Sequence, residues 1–536
     1  MWKEKDAGDN VSGGTVVGET LHAASGSRWF LLATTCASCG LIALDTNIVA
    51  VSLPSIARSF HAGFADVEWV VSAYMVAFAS CLLPMGGLAD RYGRKRMLLL
   101  GLLVFALASF GCGIAPSVMF LNISRAVKGV GAAMLVTAAL AVIANAFPGP
   151  RERAHAWAIW GMTMGIATTV APLVGGVITE WVGWRWIFLL NLPLCATLIV
   201  CALRAVTDSR NPHAERVDFV GSLLFGIGLA CGIWALIGTQ ADGWHSAVTA
   251  LRFAACVILI AGFVVVEKRF AHAVIDLSLF SQPRFVAAVL GMFGYAACAQ
   301  VMMTFLPLYL QNAFEWTPVH AGVGMLPFAL SMIVGPYLGA RIGRRLTGLT
   351  TTLSIGLVMV GAGNLLTAAV AQSNDYAWVA LGMIVTGLGA GVLNGDTQKA
   401  IMACVPSHRT GMASGISATT RFTAISMSVG VLGAVLASRT HAAIDAAMPC
   451  HTTGNACIDA GFMSDLLAGD IGHALARLAP DLQHAMITIA PAGFASGFSA
   501  AMSVAGYLAL VSSAGIWWLA NRGESRSDAV AGTAGR

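Results

Sequence analysis

The chain has 536 residues, of which 57% are hydrophobic and 11% charged, with 31 Lys and Arg residues against 26 Asp and Glu residues. A soluble globular protein carries about 25% charged residues, so this chain lacks the polar side chains that would cover a water-exposed surface of its size. These values exclude a soluble enzyme, a secreted disulfide scaffold, a nucleic-acid-binding protein and a disordered protein. They indicate a polytopic membrane protein, most of whose surface contacts lipid.

The apolar segments are long enough to be membrane-spanning helices. A helix needs about 20 mostly apolar residues to cross the hydrocarbon layer, whereas barrel strands alternate polar and apolar residues over about ten. We therefore predict an all-α polytopic membrane protein with fourteen spans. The predicted spans are 29–52, 67–87, 97–115, 118–147, 155–181, 186–206, 217–239, 247–267, 284–311, 319–340, 350–371, 376–396, 410–437 and 498–520.

The positive charges predict the orientation of these spans. If the N-terminus is cytoplasmic, 23 of the 31 Lys and Arg residues lie in inside segments and five lie in outside segments. The other three, Arg125, Lys128 and Arg421, lie within predicted spans. This asymmetry predicts that both termini are cytoplasmic, in what we expect to be a bacterial inner membrane. It also accounts for the net positive charge without a basic patch for nucleic acid.

Two cytoplasmic loops repeat each other and suggest two related halves. Residues 88–95 read LADRYGRK and residues 338–345 read LGARIGRR, at a constant offset of 250. Parallel repeats of six spans are typical of transporters whose halves rock around a midplane site. We therefore expect six-helix bundles at 29–206 and 271–520, with an inserted helix pair at 207–270. The second bundle would contain an extracytoplasmic loop at 438–497. Cytoplasmic tails would occupy 1–28 and 521–536. The first of these tails contains no apolar core of a signal peptide.

Five motifs carry a resemblance to a known family. They are LDTNIVAVSLP at 44–54, GLADRYGRK at 87–95, Arg125 with GVGAA at 129–133, APLVGG at 171–176, and WRWIF at 184–188 followed by Asn191 and Pro193. With these motifs the chain resembles the major facilitator superfamily, and specifically its fourteen-span drug:proton antiporter branch. The resemblance implies the major facilitator fold, two six-helix bundles plus two inserted helices. It also implies proton-coupled export of drugs without a cofactor.

Asp45 is the clearest candidate for a residue that couples transport to protons. It lies about 16 residues, or about 24 Å of helix, inside the predicted cytoplasmic end of span one. A carboxylate within a span costs about 2.5–3.5 kcal/mol on insertion scales and usually faces a cavity. Burial favours a protonated carboxyl and an approaching cation favours an ionised one, so the group can exchange a proton for a cationic substrate. The alternative is a structural hydrogen bond to Thr46 or Asn47.

Arg125, early in span four, is the second candidate for coupling. The resemblance implies that it assists proton transfer at a nearby carboxyl. The alternative is an arginine whose long side chain reaches the membrane interface. Lys128 occupies a position where the resembled family often has Gln, and we assign it no role from the sequence.

The loop between spans two and three contains Gly87, Asp90, Arg91, Gly93, Arg94 and Lys95. The resemblance implies a gating latch that holds one conformation and breaks in the other. The alternative is that the basic residues only anchor the loop in the cytoplasm, and both readings are compatible. In the second copy of the motif, Ala340 replaces the aspartate, so any latch is asymmetric.

Span five contains a face of small residues interrupted by a proline. Its members Gly161, Gly165, Pro172 and Gly176 fall within about 60° of one helical face, and Gly175 adjoins it. Small residues allow helices to approach closely and proline bends a helix. In the resembled family this span is typical of antiporters, although Ala171 and Ala167 replace two of its usual glycines here.

The remaining polar and aromatic candidates are weaker. We expect Glu180 and Asp396 to be interfacial, and the sequence leaves open whether Arg421 faces the cavity or forms a charge pair. Six aromatic residues could line a drug pocket, although lipid contact or packing is the better interpretation for any one of them: Trp69, Tyr74, Trp160, Phe293, Tyr295 and Phe305. In the outer loop, Cys450 and Cys457 are candidates for a local disulfide. No metal site is predicted, and Cys36 and Cys39 are interpreted as small packing residues.

Three functions compete at this point. The first is a secondary transporter that exports lipophilic or cationic compounds in exchange for protons. The second is an exporter of an endogenous metabolite, and the third is a non-transporting receptor or scaffold. No ATP-binding loop motif is present and no enzyme is predicted. The expected partners are a small-molecule substrate, protons and the lipid bilayer. We expect the protein to be a monomer. The sequence leaves open whether a periplasmic adaptor protein takes part, as it does for some relatives.

Overall fold

The computed structural model describes residues 16–534 except 148, 210–217, 270–276, 346–348, 374, 406–409, 448–459, 477 and 479. The described residues are mostly helical, and no strand occurs among them. The helices are Val16–Phe60 (α1), Phe64–Tyr92 (α2), Arg94–Gly113 (α3), Val118–Ala146 (α4), Pro150–Trp181 (α5), Trp186–Leu189 (α6), Asn191–Ala205 (α7), Phe219–Asp242 (α8), Ala247–Arg269 (α9), Pro283–Tyr295 (α10), Met302–Asn312 (α11), Pro318–Gly324 (α12), Leu326–Arg345 (α13), Leu349–Val370 (α14), Tyr376–Ala403 (α15), Thr410–Ala447 (α16), Ala460–Ala468 (α17), Ile471–Ala476 (α18) and Pro480–Ala534 (α19). A 3₁₀ turn at Leu277–Ser281 precedes α10, and a π-helix at Ala296–Gln300 joins α10 to α11.

Fourteen helical segments in the described part of the chain are long and apolar enough to cross a membrane, as predicted. The terminal helices are longer than the predicted spans. The first helix begins at Val16, and the last runs from Pro480 to Ala534, although we had expected tails and a loop in these regions. The last helix contains Pro491, a residue type that usually interrupts a helix and that argues against a helix here when the sequence is read alone.

The helices form two bundles with an inserted pair beside them, which confirms the predicted fold class. In the first bundle, α1 packs on α4, α5 and α7, and α3 packs on α4. In the second bundle, α14 packs on α15 and α19, and α13 packs on α15. The inserted helices α8 and α9 pack on each other, and α8 also contacts α2 of the first bundle and α16 of the second. The contact between α8 and α2 buries Val76, Leu229 and Ile233.

The two bundles touch at the end of the molecule that carries Phe60 and Asn312, which we call the outer end after the predicted topology. Gln311 Nε2 of α11 donates to the Val51 carbonyl of α1 at 2.9 Å. The Val319 amide of α12 donates to Glu180 Oε2 of α5, also at 2.9 Å. These bonds between bundles, together with the packing of α17 against α1 and α2, close the outer end in this conformation.

Candidate functional site

Asp45 lies in the C-terminal half of α1 and is fully buried. Its two carboxylate oxygens accept hydrogen bonds from three side chains. Arg125 Nη1 donates to Oδ2 at 3.0 Å, Asn191 Nδ2 donates to Oδ1 at 3.1 Å, and Lys128 Nζ also donates to Oδ1. We call these four residues the Asp45 cluster. Because three donors on α4 and α7 converge on one oxygen pair of α1, this carboxylate holds three helices of the first bundle together.

The structure shows no hydrogen bond between Asp45 and its chain neighbours Thr46 and Asn47, which bond elsewhere. Thr46 Oγ1 donates to the hydroxyl of Tyr74 at 3.4 Å, and Asn47 Nδ2 donates to the Ala43 carbonyl at 2.7 Å. Neither side chain therefore competes with α4 for the carboxylate of Asp45.

Arg125 points into the bundle and has its described partners there. It is fully buried, and its Nε donates to the Val70 carbonyl of α2 at 2.9 Å. Its guanidinium carbon lies 4.3 Å from the ring centroid of Tyr74, within the range of a cation–π contact. The snorkelling alternative for Arg125 was therefore wrong, and the two candidates for coupling, Asp45 and Arg125, are in direct contact.

Lys128 is the residue of the Asp45 cluster to which the sequence led us to assign no role. It follows Arg125 by three residues, a spacing that puts both side chains on one face of a helix. It is fully buried, with its Nζ 4.6 Å from the ring centroid of Phe105 and 5.0 Å from that of Phe188. The spacing was a usable signal for Lys128. Asn191 could be noted in the sequence only as part of the motif that follows residues 184–188, and that motif does not indicate contact with Asp45.

The charges of the Asp45 cluster are unbalanced. One carboxylate faces two basic side chains in a site that is closed to solvent. A buried charge is tolerated when it is paired, and removing its partner is costly. Asp45 is the acidic side chain that both Arg125 and Lys128 contact, so its carboxylate joins α1 to α4.

The second bundle contains a different polar cluster around Arg421. Arg421 Nε of α16 donates to Gln300 Oε1 at 2.6 Å, and its guanidinium carbon lies 5.5 Å from the ring centroid of Tyr295. The hydroxyl of Tyr295 donates to Asn394 Oδ1 at 3.0 Å. Gln300 belongs to the π-helix, a local irregularity that is frequent at functional sites. Because Gln300 is an amide, the described hydrogen-bond partner of Arg421 is neutral.

The loop between α2 and α3 packs on the segment that follows α7. Asp90 pairs with Arg94, whose Nη2 lies 2.8 Å from Oδ1, and Lys95 Nζ donates to the Leu203 carbonyl at 2.9 Å. Gly93 has a φ of 114°, which a residue with a side chain rarely adopts, and a Cβ there would lie 2.6 Å from Asp208 Oδ1. These described contacts stay within the first bundle and its following linker. Gating by this loop stays a prediction, as does any role of Gly87 and Arg91.

The small face of span five packs tightly in its outer half only. A Cβ on Gly175 would lie 2.7 Å from the Ile48 carbonyl of α1, and one on Gly176 would contact the Pro318 carbonyl of α12. A Cβ on Gly161 or Gly165 would meet no atom of the described structure within 4 Å. Close packing is therefore found around Gly175 and Gly176 and was wrongly expected at Gly161 and Gly165. Pro172 lies between the two regions, inside α5.

The other candidates are dispersed. Glu180 joins the two bundles at the outer end, as given above, and Asp396 pairs with Lys399 at 2.9 Å. The rings of Tyr74 and Tyr295 are covered by the protein's own arginines, Arg125 and Arg421. Phe305 is buried, and Trp69, Trp160 and Phe293 are partly buried. Cys450 and Cys457 lie outside the described residues.

Comparison with known proteins gives the family. Residues 35–430 match the profile of the Major Facilitator Superfamily. The chain is 35% identical over 399 residues to the multidrug resistance protein Stp of Mycobacterium tuberculosis, covering 74% of each chain. It is 30% identical to the multidrug efflux pump LfrA of Mycolicibacterium smegmatis, covering 91% of this chain and 95% of LfrA. It is also 30% identical to the tetracenomycin C resistance and export protein of Streptomyces glaucescens, covering 77% of each.

Solved structures show the same fold at low sequence identity. A bacterial homologue of the human lysosomal transporter Spinster, in an inward-facing and unoccupied conformation, is 16% identical with a TM-score of 0.61. That similarity covers 92% of this chain and 97% of the homologue. A peptide transporter in complex with sulfate is 15% identical with a TM-score of 0.59, covering 92% and 94%. The chain is a multi-pass membrane protein and belongs to the major facilitator superfamily.

Proposed function

We propose that this protein is a proton-coupled antiporter that exports lipophilic or cationic drugs and toxic compounds across the cytoplasmic membrane. The observation that carries the proposal is the buried Asp45 carboxylate, bonded by Arg125, Lys128 and Asn191. Drug export is supported by the relatives, which are described as efflux, resistance and export proteins. We also propose that the protein is a monomer with both termini in the cytoplasm.

The coupling would work through the ion pairs of Asp45. When Asp45 is ionised, its pairs with Arg125 and Lys128 hold α1 against α4. When Asp45 takes up a proton, the two cations lose their shared anion in a solvent-excluded site, where unpaired charges are least tolerated. The protonated state therefore favours a rearrangement of α1 relative to α4. This gives a physical link between proton binding and the alternation of the two bundles.

The geometry also limits how a cationic substrate interacts with Asp45. Both of its oxygens already have donors, and the cluster carries more positive than negative charge when all three groups are ionised. A cationic substrate would have to displace Arg125 or Lys128 to bind the carboxylate directly. We therefore assign Asp45 to proton coupling and expect the substrate to bind elsewhere in the protein, mainly through apolar contacts, so that lipophilicity governs recognition.

Transport by purified protein in proteoliposomes tests this function. With an imposed pH gradient, we expect the wild type to accumulate a lipophilic cation such as ethidium on the acidic side, and a protonophore to abolish the accumulation. Asp45→Asn should lower the gradient-driven rate at least tenfold. Asp396→Asn is the matched control because it removes a carboxylate that is ion-paired but lies near the end of α15, and it should leave the rate within about twofold.

Two outcomes would contradict the proposal. If no member of a panel of lipophilic substrates moves in a pH-dependent way, proton-coupled drug export is wrong. If Asp45→Asn and wild type give the same gradient-driven rate, the transporter works through another group and the assigned role of Asp45 is wrong.

A further inference from the structure

The segment between α16 and α19 includes two short helices that cover the outer end of the first bundle. In α17, Phe462 and Leu466 are fully buried. Ser464 Oγ accepts a hydrogen bond from the Phe64 amide at 3.2 Å, and the Gly469 carbonyl accepts one from Arg58 Nη1 at 3.1 Å. Helices α17 and α18 are thus attached to the turn between α1 and α2.

Three potential metal ligands meet at this attachment. His61, in the turn between α1 and α2, lies beside Asp470 and His473 of the covering segment. Each residue offers a donor atom, and these atoms lie within 4.8 Å of one another. The two imidazole rings are 4.7 Å apart between centroids, and His61 Nδ1 is 3.9 Å from Asp470 Oδ2. We call these three residues the His–Asp cluster.

A further carboxylate adds to the negative charge of the His–Asp cluster. Asp465 Oδ2 lies 3.8 Å from His473 Nε2, and its side chain is only 7% exposed. With neutral imidazoles, Asp465 and Asp470 together carry two negative charges, which match one divalent cation. Arg58, the neighbouring positive group, is engaged by the Gly469 carbonyl and Ser55 Oγ.

The ligand set and its exposure fit a metal of the zinc class. Two imidazoles and a carboxylate, with a position left for water, are a common Zn²⁺ arrangement, with metal–ligand distances of about 2.0–2.2 Å. Such distances put ligand atoms about 3.4 Å apart in a tetrahedron, so the observed donors need to close in by about 1 Å. The side chain of His61 is 65% exposed and that of His473 36% exposed. These side chains can therefore both move and admit an ion from water.

We propose that His61, Asp470 and His473 bind one Zn²⁺-like divalent cation at the outer end, clamping α17 and α18 onto the turn after α1. Occupancy would stabilise the closed outer end and slow the opening that transport requires. The binding claim is independent of the proposed transport function. The effect on transport rests on that function and on the proposed orientation.

Titration of the full-length protein in detergent, after removal of bound metal with a chelator, tests the binding claim. By calorimetry we expect one Zn²⁺ per chain, and at least a tenfold loss of affinity in both His473→Ala and His61→Ala. His441→Ala is the matched control, because His441 also pairs with an aspartate, Asp445, at 2.8 Å on an exposed surface. It should bind Zn²⁺ like the wild type, and Mg²⁺ should bind to none of the proteins with comparable affinity.

Two further variants keep the binding test decisive. His61 is mostly exposed, so His61→Ala should fold even if His473→Ala does not, and an unchanged unfolding temperature without metal checks this. The double variant Cys450→Ser and Cys457→Ser should retain the affinity for Zn²⁺. If it loses binding while His61→Ala and His473→Ala retain it, the site is in the segment 450–457 and the proposal is wrong. Absence of stoichiometric binding to the wild type would also overturn it.

The clamp is tested separately in proteoliposomes. Zn²⁺ added on the side of the outer end should slow ethidium transport by the wild type at least threefold and should not slow His61→Ala. If Zn²⁺ binds but does not change the transport rate, the metal site is supported and the proposal that it slows opening of the outer end is wrong. Failure of the wild type to transport any substrate would count against the proposed function alone, since the calorimetric result does not depend on it.

Discussion

Each bundle of this transporter places an arginine against a buried tyrosine, but Arg125 is fully buried and Arg421 only partly, and the two have different partners. Arg125 lies 4.3 Å from the ring centroid of Tyr74 and pairs with the carboxylate of Asp45. Arg421 lies 5.5 Å from that of Tyr295 and bonds the neutral amide of Gln300. A carboxylate can change charge by binding a proton and an amide cannot. Under the proposed mechanism, the contact that responds to protons therefore lies in the first bundle, at Asp45.

The largest expected effect comes from removing the negative charge of the first cluster. Asp45→Asn leaves Arg125 and Lys128 buried without an anion, and breaking a buried ion pair costs about 3–5 kcal/mol. Gln300→Ala in the second bundle removes one hydrogen bond to a charged group and should cost about 1.5–3 kcal/mol. Denaturant unfolding of both variants in detergent measures the difference. Equal destabilisation of the two variants would mean that the negative charge of Asp45 contributes no more to the free energy of unfolding than the hydrogen bond of Gln300.

A smaller effect should follow from disturbing the helix that carries Asp45. In Gly175→Ala, the new methyl group would lie 2.7 Å from the Ile48 carbonyl, one turn beyond Asp45 on α1. Overpacking of this kind typically costs about 1–3 kcal/mol, and the displacement of α1 should also lower the coupled transport rate. Gly161→Ala on the same helix meets nothing within 4 Å and is the matched control. If the two substitutions reduce stability and transport equally, the packing between α1 and α5 does not position Asp45.

The smallest effect is expected for Lys128→Gln, which restores the residue that the resembled family often has. It leaves Asp45 paired with Arg125 and bonded by Asn191, and the amide of a glutamine can still donate a hydrogen bond to the carboxylate. We expect the free energy of unfolding to fall by less than in Gly175→Ala, with gradient-driven transport retained. Loss of coupled transport in a stable Lys128→Gln protein would show that Lys128, and not Asp45 alone, takes part in proton coupling.

The fold and part of the site could be predicted from the sequence for physical reasons. Lipid requires long apolar helices, so the fourteen spans are visible as hydropathy, and a charge inside a span, such as Asp45 or Arg125, stands out against that background. Lys128 could also have been included, because its spacing of three from Arg125 places both on one helical face. The partnership of Asn191 with Asp45 depends on how α7 packs against α1, and residue type alone does not report that packing.

Other features required the three-dimensional arrangement. His61 lies about 400 residues from Asp470 and His473 in the chain, so no local spacing indicates that the three could share a metal. Gly161 and Gly175 belong to one small-residue face of α5, but only Gly175 has a helix against it. The helical period gives the face, whereas the conformation of the transporter determines which part of that face is covered.

Comparison of two transport modes in the same proteoliposomes tests most directly whether Asp45 couples protons to transport. Exchange of labelled for unlabelled substrate needs no net proton movement, whereas accumulation against a gradient does. We predict that Asp45→Asn retains exchange while losing gradient-driven accumulation. If Asp45→Asn is too unstable, the double variant Asp45→Asn with Lys128→Gln, whose buried charge matches that of the wild type, should behave in the same way. Retention of gradient-driven accumulation by either variant, or loss of both modes in a stably folded protein, would contradict this account.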